Sequence, residues 1–231
     1  EFMADLLFYQ KPMPLNAKTH GDWRILTGEQ HFGFAAEINS VLLAGIEFIE
    51  ACKEYPIVFA LSGDSLVPVA LLGLRETRNL FVSEDGRWLG RYIPAFIRRY
   101  PLVLADAADQ NQKVVCIDEA YQGFNQPDGE DLFEDGKPRP VLEKAIEFLN
   151  EYQQQYSRTE ALIKRLRDNE LLSKINARVT AGDGQETALE GLLVVDEKKL
   201  LALDDEKSLA LFRSGELAWI YAHLISIANI G

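Results

Sequence analysis

Apolar and polar positions along this chain change period several times, and each change predicts an element. To about Gln30 there is no period; Pro12, Pro14 and Gly21 predict an irregular segment anchored by Phe8, Tyr9, Leu15 and Trp23. From Asn39 the spacing of Leu42, Ile46, Ile49 and Cys52 is that of one helix face, and Pro56 ends it. Pro56–Leu61 and Leu66–Leu74 are continuous apolar runs around Ser62-Gly63-Asp64, which predicts two buried strands and a turn. Leu80–Val82 predicts a third short strand. Pro94 suits a helix start because its missing N–H has no intrahelical partner there, and that helix ends before Pro101. Leu102–Leu104 and Val114–Ile117 predict further strands.

Residues 123–140 are rich in Gly, Pro and acids and read as a loop. Leu142, Ala145, Leu149, Tyr152, Tyr156, Thr159, Ile163 and Leu166 then alternate spacings of three and four, predicting one helix from Pro140 to about Leu172. Such a helix is roughly 48 Å long. It either packs along the body, for instance against the last two helices, or projects to self-associate or capture a protein partner. The Tyr152/Tyr156 stretch beside Gln153–Gln155 suits a wet interface. Ala177–Ala181 and Thr187–Val195 around Gly182-Asp183-Gly184 predict a hairpin. Helical patches at Glu197–Phe212 and Gly215–Ile230 close the chain. The fold class is α+β: a mixed or antiparallel sheet core, a long helical arm and a C-terminal helical segment, in one domain over 1–231.

Composition narrows the function. With 47% hydrophobic and 26% charged residues over 231 positions, the chain is that of a globular protein. A net charge of −12 argues against a nucleic-acid partner, whose phosphates demand Lys and Arg. No run approaches the roughly 18 apolar residues of a membrane-spanning helix. Glu1-Phe2 ahead of Met3 reads as a cloning remnant, and no signal peptide follows, so a soluble, cytoplasmic protein is expected. Cys52 and Cys116 read as reduced thiols.

Chemistry-bearing motifs are sparse. His20, His31 and His223 fall in no metal-binding spacing, so neither a metal nor a cofactor is expected, and His223 reads as a hydrogen-bonded core residue. There is no phosphate-binding loop and no nucleophile elbow. The acids between Asp128 and Asp135 miss the calcium-loop spacing and read as a solvated loop. Two groups remain as ligand-site candidates. One is Trp88, Arg91, Tyr92, Arg98 and Arg99, where guanidiniums beside aromatics suit a carboxylate, phosphate or sugar. If the helix ran back through Pro94, Trp88, Tyr92, Phe96 and Tyr100 would form one aromatic ridge, and core packing is the competing reading. The other is Asp118-Glu119 at a strand's end, although adjacent acids on a strand point to opposite faces and more often cap or brace.

The segments EYPIVFAL, LVPVALLGL, FVSEDGRWLGRYIPAFIRRYPLVL and VVCIDE resemble the SapC-like family of bacterial proteins. LLFYQKPMPLN near the start, GLLVVDEKKL, and LFRSGELAWIYAHLISIANI near the end extend the resemblance over nearly the whole chain. Family members run a little further at the C-terminus. The resemblance implies a link to surface-layer protein systems and export, or to nutrient uptake. A permease label used for some members conflicts with the lack of a spanning helix. It supplies no catalytic residue set. The expectation is a non-enzymatic accessory or binding protein; the alternative is a small-molecule enzyme or ligand sensor using residues 88–100 with Asp118 and Glu119.

Overall fold

The computed structural model describes residues 7–27, 31–75, 77–106, 113–175, 177–180, 186–189 and 191–230. The chain opens with β1 (Pro12–Pro14), a one-turn α1 (Ala17–His20) and β2 (Arg24–Ile25). Next come β3 (Ser40–Leu42), α2 (Phe48–Ala51), β4 (Ile57–Ser62), β5 (Ser65–Leu71), α3 (Ala95–Arg98), β6 (Leu102–Asp106) and β7 (Lys113–Asp118). Three two-residue strands follow, β8 (Glu130–Asp131), β9 (Phe133–Glu134) and β10 (Lys137–Pro138), then the 29-residue α4 (Pro140–Asp168). The C-terminal part is β11 (Leu172–Lys174), β12 (Ala177–Thr180), β13 (Glu186–Leu189), β14 (Leu193–Val195), α5 (Glu197–Leu201), α6 (Asp205–Ser214) and α7 (Glu216–Ser226). The fold is α+β, as the pattern predicts.

Two antiparallel sheets carry the body. The larger has the order β11-β14-β4-β5-β3, the smaller β1-β7-β6. The β4–β5 hairpin pairs Ile57 with Ala70 through to Ser62 with Ser65. Its two-residue turn needs a positive φ at the first position, which Gly63 supplies at +59°. Both faces of the smaller sheet are covered. Leu102 and Ile117 point into one core with Leu132, Leu142 and Leu149, while Val103 and Cys116 point into the other, with Phe59, Leu66, Leu162 and Leu166.

The structure corrects several sequence-based boundaries. The helix expected from Asn39 is a strand at Ser40–Leu42, paired with Val69–Leu71 of β5, and only Phe48–Ala51 is α-helical. Pairing with an open strand edge overrode a weak helical period. Leu80–Val82 is no strand; Val82 makes a single bridge to Trp88. Because α3 starts after Pro94, its N-cap, the aromatic ridge from Trp88 to Tyr100 does not form along one helix. The long helix stops at Asp168, and Leu172–Lys174 is a strand on β14. The expected Thr187–Val195 strand is two: β13 pairs β12, whereas β14 joins the main sheet. The turn at Gly182-Asp183-Gly184 lies outside the described residues. The first C-terminal patch is two helices, and Gly215, left-handed at φ +79°, turns α6 into α7.

The α4 stripe is buried within the chain rather than carried on a projecting arm. Leu142, Leu149, Tyr152, Thr159, Ile163 and Leu166 are buried, joined by Leu162. The helix lies on β6, β5, β10 and the turn at Gly45–Glu47. Contact with α7 is made by side chains: Arg165 grips Glu216 at 2.6 and 2.7 Å, and Arg158 lies 5.1 Å over Trp219.

An imidazole completes the main sheet. β14 and β4 share one residue pair, Leu193 with Phe59. Further along, His223 of α7 sits between the strands, fully buried. Its Nε2 accepts from the Val195 N–H at 3.0 Å and its Nδ1 donates to the Ile57 carbonyl at 2.8 Å. A backbone N–H only donates and a carbonyl only accepts, so the ring is the neutral Nδ1–H tautomer. Ser226 Oγ accepts from the Ile57 N–H at 2.9 Å and donates to the His223 carbonyl at 2.6 Å. Burial pushes the His223 pKa down to about 4.

This value lies below the ordinary 6.5, so on acidification the unfolded chain binds the proton first. The stabilisation is complete above pH 6.5 and is lost as pH falls toward 4, by about 3 kcal/mol in all. Urea midpoints measured from pH 7 to 4 are expected to fall steeply in wild type and less steeply in His223→Gln. Parallel slopes would remove His223 from the account.

Candidate functional site

The seven candidate residues fall in three places. Trp88 and Tyr92, both half-buried, and the backbone of the exposed Arg91 brace a junction with Tyr55 and Glu54. The Trp88 indole N–H points at the Tyr92 carbonyl (3.1 Å) and the Tyr55 hydroxyl (3.3 Å), and Tyr55 donates to the same carbonyl. Glu54 accepts from the Arg91 N–H at 2.8 Å. The Tyr92 hydroxyl donates to Glu47 at 2.8 Å. Glu47 is buried and also accepts from the Ala44 and Ala95 N–H groups at 2.8 and 2.7 Å. Burial raises the Glu47 pKa despite these donors and the nearby Arg98. Glu50, Lys53, Glu54, Arg91 and Tyr92 also line a shallow depression of about 420 Å³. Arg98 is exposed at the end of α3; its Nε donates to the Ile93 carbonyl, and its guanidinium lies 5.0 Å from the Phe148 ring centre.

Asp118 ends β7 and Glu119 follows it, and their carboxylates meet different partners, as the alternation of an extended chain requires. Asp118 is fully buried and accepts from Gln10, Lys11 and Ala120 N–H groups at 2.8–3.1 Å and from the Tyr100 hydroxyl at 3.1 Å. It ties the N-terminal segment to the small sheet. Glu119 meets Lys11 Nζ at 2.6 Å and the buried His20 at 3.3 Å. Hydrogen bonds from Lys11 and His20 hold its carboxyl below the ordinary range.

Arg99 is elsewhere. It is buried, with its guanidinium 3.9 Å over Phe96 and 5.5 Å from Tyr152, and it lines a groove well apart from the depression beside Tyr92. This groove has a volume of about 1080 Å³. One wall is the β4–β5 hairpin tip, Ser62–Val67. The opposite wall is Val103–Asp106 of β6. α4 closes it with Leu149, Tyr152, Tyr156 and Ile163, and its rim carries Lys164, Arg167 and Asp168. Tyr152 and Tyr156 stack at 6.0 Å.

Of the seven, only Arg99 reaches the groove. Tyr152 and Tyr156 do so as well, on the stripe whose mixed polarity marks it in the sequence. The strand segments 62–67 and 103–106 carry no distinguishing residue type; only tertiary pairing places them there. Among the described residues, no group of three or more His, Cys, Asp or Glu side chains could hold a metal ion. No described helix is long and apolar enough to cross a membrane. Cys52 and Cys116 are both free thiols, and burial raises the pKa of each.

The sequence profile of the SapC family matches residues 15–231. The chain belongs to the SapC family. No curated protein and no solved structure matches it. In this SapC chain, the segment YIPAFIRRYP supplies Arg98 and Arg99, and LFRSGELAWIYAHL supplies Glu216, Trp219 and His223. The second segment therefore provides the side chains that clamp α4 and complete the main sheet.

Arg98 and Arg99 have opposite fates in the structure, and their alanine variants should separate. Arg99→Ala removes a guanidinium packed among rings and is expected to cost about 2–3 kcal/mol. Arg98→Ala, at the surface, should cost about 1 kcal/mol or less. Thermal unfolding of the two variants checks this; equal melting temperatures would contradict the placement of Arg99.

Proposed function

We propose that this SapC-family protein works by binding rather than turnover, as an accessory protein of a surface-layer, export or nutrient-uptake system, and that the groove between its sheets is the binding surface. The observation that carries this reading is the origin of the groove walls. Hairpin tip, edge strand and helix, far apart in sequence, converge on one trough of mixed polarity, where Leu66, Val103, Leu149 and Ile163 stand beside Arg99 and two tyrosines. A concave site that sets apolar side chains beside polar groups able to orient a ligand is what binding requires.

The groups best suited to acid–base chemistry are committed elsewhere. The Asp118 carboxylate collects three backbone N–H groups and a phenol. His223 uses both ring nitrogens on backbone partners inside the core. Glu47 holds α3 to the distant turn at Gly45–Glu47 through the Ala44 and Ala95 N–H groups and Tyr92. These are framework roles, which supports binding as the protein's activity. The family membership supports the accessory role in a bacterial surface or uptake system.

The groove reading is tested with anilinonaphthalene sulfonate, an aromatic anion matched to Arg99 and the tyrosines. Its fluorescence should titrate to one saturable site. Ala105→Trp, which fills the groove from the β6 wall, should weaken it by about tenfold, a change of about 1.4 kcal/mol. Equal binding to wild type and variant would place the dye elsewhere and remove the support for the groove.

A further inference from the structure

The two edges of the small sheet are treated differently. At its outer edge, β1 pairs with β7, with the Glu119 N–H donating to the Lys11 carbonyl and the Leu15 N–H to the Val115 carbonyl. Antiparallel ladders alternate, so Lys11, Met13 and Leu15 face β7 while Pro12 and Pro14 face outward. Proline has no N–H to offer, and this edge is blunted against further pairing.

The inner edge is β6. The Asp118 N–H donates to the Pro101 carbonyl at 2.9 Å. By the same alternation Val103 and Ala105 bond β7, which turns the N–H and C=O groups of Leu104 and Asp106 away from the sheet. They turn toward the groove that Val103–Asp106 line. No proline guards this edge. Across the groove, β3 covers β5 only as far as Val69, and the Leu43 N–H takes the Pro68 carbonyl. The Leu71 N–H donates to the Pro56 carbonyl, so Leu66 also faces away from β4, beyond the reach of β3. Two strand edges thus flank one trough, with the α4 face that carries Leu149, Tyr152, Tyr156 and Ile163 along it.

We infer that the groove takes an extended polypeptide segment, which adds as a strand to the edge of β6. This deepens the binding reading and rests on it. The chemistry complementary to alternating backbone donors and acceptors is another extended main chain, with alternate side chains directed at the α4 wall. The groove lining carries four acids and four bases, with Lys113–Asp106 and Lys164–Asp168 paired at 2.6 Å. That balance disfavours a polyanion and suits a peptide of mixed charge.

The test pans a random heptapeptide library on the whole chain and measures a selected synthetic peptide by calorimetry. N-methylation at every second residue of that peptide should weaken binding by about tenfold, and at the intervening residues by less than about threefold, because only alternate N–H groups meet β6. Leu104→Pro removes the outward N–H without a ladder bond and should weaken the peptide by about tenfold. The N-methyl scan uses wild-type protein, so it stands even if that variant misfolds. Uniform tolerance of N-methylation overturns the inference. So does a failure to select any peptide; if the dye still binds the groove, the binding reading stands alone, and if it does not, both fall. A wild-type dimer that Leu104→Pro splits would assign the edge to a second copy and overturn capture of a separate peptide.

Discussion

The apolar stripe of α4 has to be buried, and two cores share the burial. Leu142 and Leu149 enter the core that holds Leu102 and Ile117 of the small sheet, while Leu162, Ile163 and Leu166 enter the core of the larger sheet. A fully buried leucine contributes about 1.5–3 kcal/mol, so neither half of the helix detaches cheaply. One rigid helix therefore fixes how the two sheets stand, and the trough between the β4–β5 hairpin and β6 is what this arrangement leaves open. The tyrosines mark the crossing from one core to the other: Tyr152 packs in the larger core, and Tyr156 is half-buried beside it.

Polar side chains then hold the junctions that apolar packing leaves unfinished. Glu47, Asp118 and His223 are each buried, and each bonds backbone groups of segments distant in sequence. Glu216 does the same through a side chain, anchoring α4 through Arg165. A buried polar atom left without a partner costs about 1–3 kcal/mol, so each of these residues specifies a single arrangement of the segments it joins. The framework is thus built from the residue types that in another context would do chemistry.

The sequence was most legible where one element dominates its own surroundings. The α4 period, the Ser62-Gly63-Asp64 turn and the opposed carboxylates of Asp118 and Glu119 follow from local geometry. So does the reading of His223 as a core histidine, since Trp219 and Ile227 share its side of the last helix. Legibility failed where a distant partner decides. Val41 and Leu42 are compatible with a helix until the β5 edge is available to pair. Glu47 and Glu216 look like surface acids in sequence, and only Tyr92, Ala95 and Arg165 make them interior ones. The groove was invisible for the same reason, because its β6 wall is defined by which backbone groups have no neighbouring strand among the described residues.

The exposed β6 edge is therefore the central claim, and amide hydrogen exchange of the ligand-free protein followed by NMR tests it most directly. The Val103 and Ala105 amides, bonded to β7, should exchange slowly, and those of Leu104 and Asp106, turned into the groove, by at least about a hundredfold faster. Equal protection across these four residues would mean that the edge is already covered, and would contradict the account.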